Sequence, residues 1–192
     1  MREAFETYFN KLDTRYRNEY GTHPKTVYLS KCDKKGIYIS GTLDCEGYAE
    51  WLPVLQDEPI MFDDLEKEVG FKIHSDIKQY FTTYWFMQLA GKRGENHFSL
   101  QEIEPNTDIK VLVKNCLKKG DIEYMKPGRF CAIGDADIDG NQDCGLYVNN
   151  DTGEVICVNW DEAGYYDFEK PFSETSFKVA ESLKELIKNL DR

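Results

Sequence analysis

Apolar positions recur at helical spacing from the first residues of the chain. Phe5, Tyr8, Phe9, Leu12 and Tyr16 make one stripe, which predicts a helix over 1–20 that Gly21 and Pro24 bring to an end. Residues 22–35 read as a polar connector, and the pattern then changes to alternation. Gly36 to Asp44 and Tyr48 to Val54 predict two neighbouring strands, bounded by Pro53 and Pro59. Two short helices are expected over Phe62 to Val69 and from Ser75, whose hydroxyl is suited to the N-cap and which precedes an Ile77, Tyr80, Phe81 and Tyr84 face. Tyr84 to Leu89 and His97 to Ile103 read as strands joined by a Gly91–Gly94 turn. Asn106 or Thr107 is then placed to cap a helix that ends at Gly120.

The last third reads as strands over Arg129 to Gly134, Cys144 to Asn149 and Glu154 to Trp160, followed by a closing helix over 173–190. In that helix Phe177, Ala180, Leu183, Ile187 and Leu190 would be buried, and Phe172 and Phe177 have hydrophobic-staple spacing. The succession of short paired strands between helices predicts an α+β fold, a single domain over 1–192 with a mostly antiparallel, mixed sheet flanked by helices.

Composition narrows the function. The 192 residues include 35 Asp and Glu against 24 Lys and Arg, a formal net charge of −11. Phosphate backbones and anionic lipid repel such a chain, so nucleic acid is excluded as a partner and a membrane is reached only peripherally, through another protein. No run approaches the ~20 apolar residues that span a bilayer. Met1 to Thr7 carries charges where a signal peptide needs its apolar core, so a cytoplasmic location with six reduced cysteines is expected.

Catalytic patterns are scarce. His23, His74 and His97 are far apart in sequence, and His74 reads as a capping or packing residue beside a helix start. There is no GxSxG, P-loop, GxGxxG or CxxC, so no cofactor and no structural metal are expected. Cys131 and Cys157 read as small core residues in apolar strands. Asp135-x-Asp137-x-Asp139-Gly140 copies the first half of an EF-hand loop, but the twelfth position is Leu146 and the flanks look like strands. An acidic hairpin loop is the simpler reading. Ca²⁺ binding, or a carboxylate enzyme built on Asp135, Asp137 and Asp139, is a minor alternative without an identifiable base or nucleophile.

The charge itself is the stronger signal. From Phe130 to Glu169 there is no Lys or Arg, while ten acids occur: Asp135, Asp137, Asp139, Asp143, Asp151, Glu154, Asp161, Glu162, Asp167 and Glu169. Aromatic residues interleave with them, and Trp and Tyr are favoured interface anchors. A basic protein partner is therefore expected at Trp51, Asp135, Asp137, Asp139, Asp143, Glu154, Trp160, Asp161, Glu162, Tyr165 and Asp167.

Three stretches resemble one family: Trp51-Leu-Pro53; Phe71 to Thr83 with the Tyr84-Trp-Phe strand after it; and Asn150-Asp-Thr-Gly-Glu-Val155 ahead of a Leu-rich C-terminal helix. Together and in this order they are similar to the Syd family of SecY-interacting proteins, within the SMI1/KNR4 (SUKH) superfamily. The resemblance implies a helix-flanked sheet with a concave binding face and no catalysis. It also implies one of two partners: a toxin domain neutralised by an immunity protein, the first reading, or the basic cytosolic loops of SecY, the alternative. The Asp135–Asp143 stretch is longer and more acidic than the family pattern, which favours the first.

Overall fold

The computed structural model describes residues 1–39, 43–120, 129–160 and 176–191. Helix α1 (Arg2–Tyr20) buries Phe5, Tyr8, Phe9 and Leu12 along its predicted stripe and closes on Gly21 in the left-handed conformation. Strand β1 (Lys25–Val27) and a 3₁₀ turn (Ser30–Lys35) then replace the expected connector. β1 pairs antiparallel with β2 (Tyr48–Glu50), so the partner of β2 precedes the stretch where a strand was expected. Within Gly36–Asp44 the described residues contribute only a bridge from Tyr38 to Trp51, and residues 40–42 lie outside the description. β3 (Val54–Leu55) pairs with β4 (Tyr84–Trp85) around α2 (Asp63–Val69) and α3 (Ser75–Thr83). The cap of α3 is His74, whose Nδ1 accepts from the Asp76 N–H, one residue before the expected serine.

The main sheet has six antiparallel strands in the order β10-β9-β8-β7-β6-β5: β5 (Leu89–Arg93), β6 (Asn96–Leu100), β7 (Phe130–Ile138), β8 (Asn141–Asn149), β9 (Val155–Asn159) and β10 (Ser176–Ala180). The α+β class is as read from the sequence. Gly91 lies inside β5, and the chain turns two residues later than expected, at Gly94 and Glu95. Helix α4 (Ile109–Gly120) is capped by Asp108, whose carboxylate accepts from the Val111 N–H; neither Asn106 nor Thr107 supplies the cap.

The closing helix is the main correction. Ser173 lies outside the described residues, 176–180 is strand β10, and only α5 (Leu183–Lys188) is helical. Phe177 pairs with Cys157 on the sheet edge and is 42% exposed, so it neither staples a helix nor joins the core. Ala180, Leu183, Ile187 and Leu190 are buried as expected. Their spacing fits a strand end followed by a short helix as well as one long helix, which is why periodicity alone misassigned them.

One buried cluster runs from Ala4 on α1 through Leu146 on β8 to Leu190 beside α5. It covers one face of the sheet, where Cys131 and Cys157 are fully buried. On the other face Phe130, Tyr147, Ile156 and Val158 form a smaller apolar cluster towards β9. The same face is polar towards β5, and this contrast sets out the candidate site.

Candidate partner-binding face

The acidic stretch Asp135–Asp143 is not a loop. β7 and β8 run through it as paired strands and turn only at Asp139 and Gly140, both at positive φ. Asp135 and Asp137 are two apart on β7 and so share a face. Asp139 occupies the turn, where the Asn96 side chain accepts its backbone N–H at 3.1 Å. Asp143 follows on β8, its N–H bonded to Asn141 Oδ1 at 2.9 Å. Among the described residues none of these four carboxylates has a Lys, Arg or His within ion-pair distance. Extended backbone at 135–138 also removes the loop that an EF-hand needs. No group of three or more His, Cys, Asp or Glu among the described residues could hold a metal ion.

A glycine aims Asp135 outward. Gly134 sits at a register shift of the β7–β8 ladder with φ +150°, and a Cβ there would lie 2.0 Å from the Ser99 carbonyl oxygen. Only glycine lets β7 approach β6 that closely. Asp135 then stands opposite Ser99 on one side and Gly145 on the other. Trp160 is half-buried with its indole nitrogen over Gly145, where a Cβ would be 2.7 Å away, and its ring meets Tyr147 edge-on at 6.1 Å. The Trp160 indole and the Asp135 carboxylate are thus one strand apart.

The remaining expected residues divide. Trp51 is 0% exposed and packs edge-on against Phe9, so in this conformation it is a core residue and offers a partner no surface. Glu154 lies at the opposite end of β8 from Asp139 and is held by Lys178 at 3.2 Å. That ion pair holds its carboxyl below the usual range, with help from the Thr152 hydroxyl. Asp151 likewise faces Arg129 at 3.7 Å. The base-free window is base-free only along the chain, because Arg129 and Lys178 fold back on it. Asp161, Glu162, Tyr165 and Asp167 lie outside the described residues.

Pairing also adds residues that the sequence reading passed over. His97 stands opposite Asp137 and Lys92 opposite His97, while Ser99 stands between Ala90 and Asp135. Ala90, His97, Ser99, Asp135 and Asp137 line a cleft of about 320 Å³ that includes Gln142, next to a second of about 360 Å³ bounded by Arg15, Tyr16, Tyr20 and Lys92. The alternation of exposed His97 and Ser99 with buried Phe98 and Leu100 was the available signal. A separate groove of about 390 Å³ joins Asp57, Glu58 and Asp108 beside Trp85.

The family described as Syd protein (SUKH-2) matches residues 2–119, which end before the acidic hairpin. The chain is 31% identical over 110 residues to Protein Syd of Alteromonas mediterranea, covering 55% of this chain and 58% of that protein. It is 27% identical over 113 residues to Protein Syd of Idiomarina loihiensis, covering 59% and 60%. With Protein Syd of Shewanella pealeana it shares 24% identity over 189 residues, 96% of this chain and 79% of the other. Against the first two, the matched segment spans about six-tenths of the relative's length.

Proposed function

The chain belongs to the Syd family (SUKH-2), and from that premise we propose that it is a non-catalytic docking protein for the basic cytosolic loops of the SecY translocon. The observation that carries this reading is the set of carboxylates Asp135, Asp137, Asp139 and Asp143 on one hairpin, unpaired among the described residues, beside Trp160. Loops on the cytoplasmic side of membrane proteins carry an excess of Lys and Arg, the charge such a surface attracts. Unpaired carboxylates raise the local concentration of a cationic segment and speed its encounter, and a neighbouring aromatic side chain then supplies desolvated contact area. Among the described residues no helix is long and apolar enough to cross a membrane, so contact with the bilayer would be made through the partner.

The toxin-neutralising reading uses the same electrostatics but lacks its own support. The family and the curated relatives share the Syd name, and this favours the translocon. The test is co-sedimentation with membrane vesicles that contain SecY and with matched vesicles that lack it, at low salt. SecY-dependent retention that weakens as salt rises supports the proposal, and equal retention on both overturns it.

A further inference from the structure

Lys92, His97 and Asp137 occupy consecutive positions across β5, β6 and β7, each directly opposite the next. Directly paired residues of antiparallel strands share a face, and strands stand about 4.8 Å apart, so the backbone positions that carry the Lys92 ammonium and the Asp137 carboxylate are roughly 10 Å from each other. A parallel row of Ala90, Ser99 and Asp135 lies two residues along. Lys92 and His97 are exposed, and their side chains have no hydrogen-bond or ion-pair partner among the described residues. The two clefts that meet along these rows share Ala90, Gly91 and His97. The face is therefore not uniformly anionic: it has a negative end at β7 and a positive end at β5, where Asp191, bridged to Lys92, has its own carboxylate held by Lys11 at 2.8 Å, and His97, Ser99 and Ala90 lie between the two ends.

We propose that this face recognises a dipolar protein segment, one with a basic group to set against Asp135 and Asp137 and an acidic group about 10 Å away to set against Lys92. The inference rests on the docking function proposed above and adds orientation to it. A purely anionic surface would accept a cationic segment in either direction, whereas a row with opposite ends fixes one. Like charges brought together in the reversed direction are what enforce that choice.

The signs of two charge reversals decide the matter. Lys92→Glu and Lys118→Glu alter net charge equally, and Lys118 lies outside the row, on the exposed last turn of α4. If net charge alone governs docking, both variants bind SecY-containing vesicles as tightly as the unmodified protein or more tightly. The row requires Lys92→Glu to bind about five-fold more weakly, the scale of one exposed ion pair lost, while Lys118→Glu does not weaken. Lys92→Glu binding as well as or better than the unmodified protein, with Asp135→Asn/Asp137→Asn weakened, overturns the dipolar row and leaves the docking function standing. Failure of the unmodified protein to bind SecY-containing vesicles in preference to SecY-free ones overturns both. Circular dichroism and thermal unfolding of each variant separate a binding loss from a folding loss.

Discussion

The phenol of Tyr8 closes the sheet at Ala90: its oxygen accepts the Ala90 N–H at 3.0 Å and its hydroxyl donates to the Ala90 carbonyl at 2.7 Å. β5 is an edge strand, and an open edge is a template for unwanted pairing. α1 covers one residue of that edge through Tyr8, and the backbone of Asp191 pairs with Lys92 further along. The N-terminal helix and the C-terminal residues therefore seal the same strand.

Tyr8→Phe keeps the ring in the core and removes only the hydroxyl. It leaves the Ala90 N–H and carbonyl without this partner and should cost roughly 1–3 kcal/mol. Urea unfolding measures the loss, and amide hydrogen exchange at Ala90 should quicken with it. An unchanged midpoint would mean that water replaces the phenol without penalty.

Glu66 is 5% exposed, with Lys78 at 2.5 Å, Lys72 at 2.6 Å and the Ile73 N–H at 2.9 Å on its carboxylate. The hydrogen bonds from Lys72 and Lys78 lead in holding its pKa down to about 2 from 4.5. A carboxyl depressed in the folded state gives stability that is complete above the unfolded value and disappears as pH falls. Its contribution is therefore whole above about pH 5 and declines between 4.5 and 2. Glu66→Gln should be less stable than the unmodified protein at pH 7, by roughly 2 kcal/mol, with the gap closing towards pH 2. A gap of constant size across that range would assign the effect to packing and not to charge.

The periodic part of this fold was legible. The α1 stripe, the His74 helix start and the apolar strands around Cys131 and Cys157 follow from spacing because each element buries one face against the same core. The β1–β2 ribbon was not legible, since three-residue strands carry too few alternations to stand out from a connector. β10 was hidden because Phe177 and Ala180 are three residues apart, a spacing that a helix satisfies by burying both and a strand by turning them to opposite faces. For the site, the charge of Asp135–Asp143 could be read and its strand geometry could not. The long-range pairing that brings Lys92 and His97 beside Asp137 leaves no trace in linear spacing.

Gly134→Ala tests that geometry directly. A methyl group would meet the Ser99 carbonyl at 2.0 Å on a backbone held at φ +150°. Strain and displacement of β6 together should cost roughly 3 kcal/mol or more. A thermal melt matching the unmodified protein would show that the bulge relaxes freely, and Asp135 would then lack the fixed direction that docking needs.

Asp137, Asp139 and Asp143 are unpaired within the described residues, so their charge is available to an approaching cation over a Debye length of about 10 Å at 0.1 M salt. Replacing all three by Asn removes the attraction while keeping side-chain size. Steering acts mainly on the on-rate, whereas the contact area around Trp160 acts on the off-rate. The triple variant should therefore associate with SecY-containing membranes several-fold more slowly at about 50 mM salt, converge with the unmodified protein near 300 mM, and dissociate at a similar rate throughout. Surface plasmon resonance over that salt series reads both rates. Identical on-rates at every salt concentration would remove the hairpin as the steering element and transfer that role to another acidic surface, with the groove of Asp57, Glu58 and Asp108 as the next to mutate.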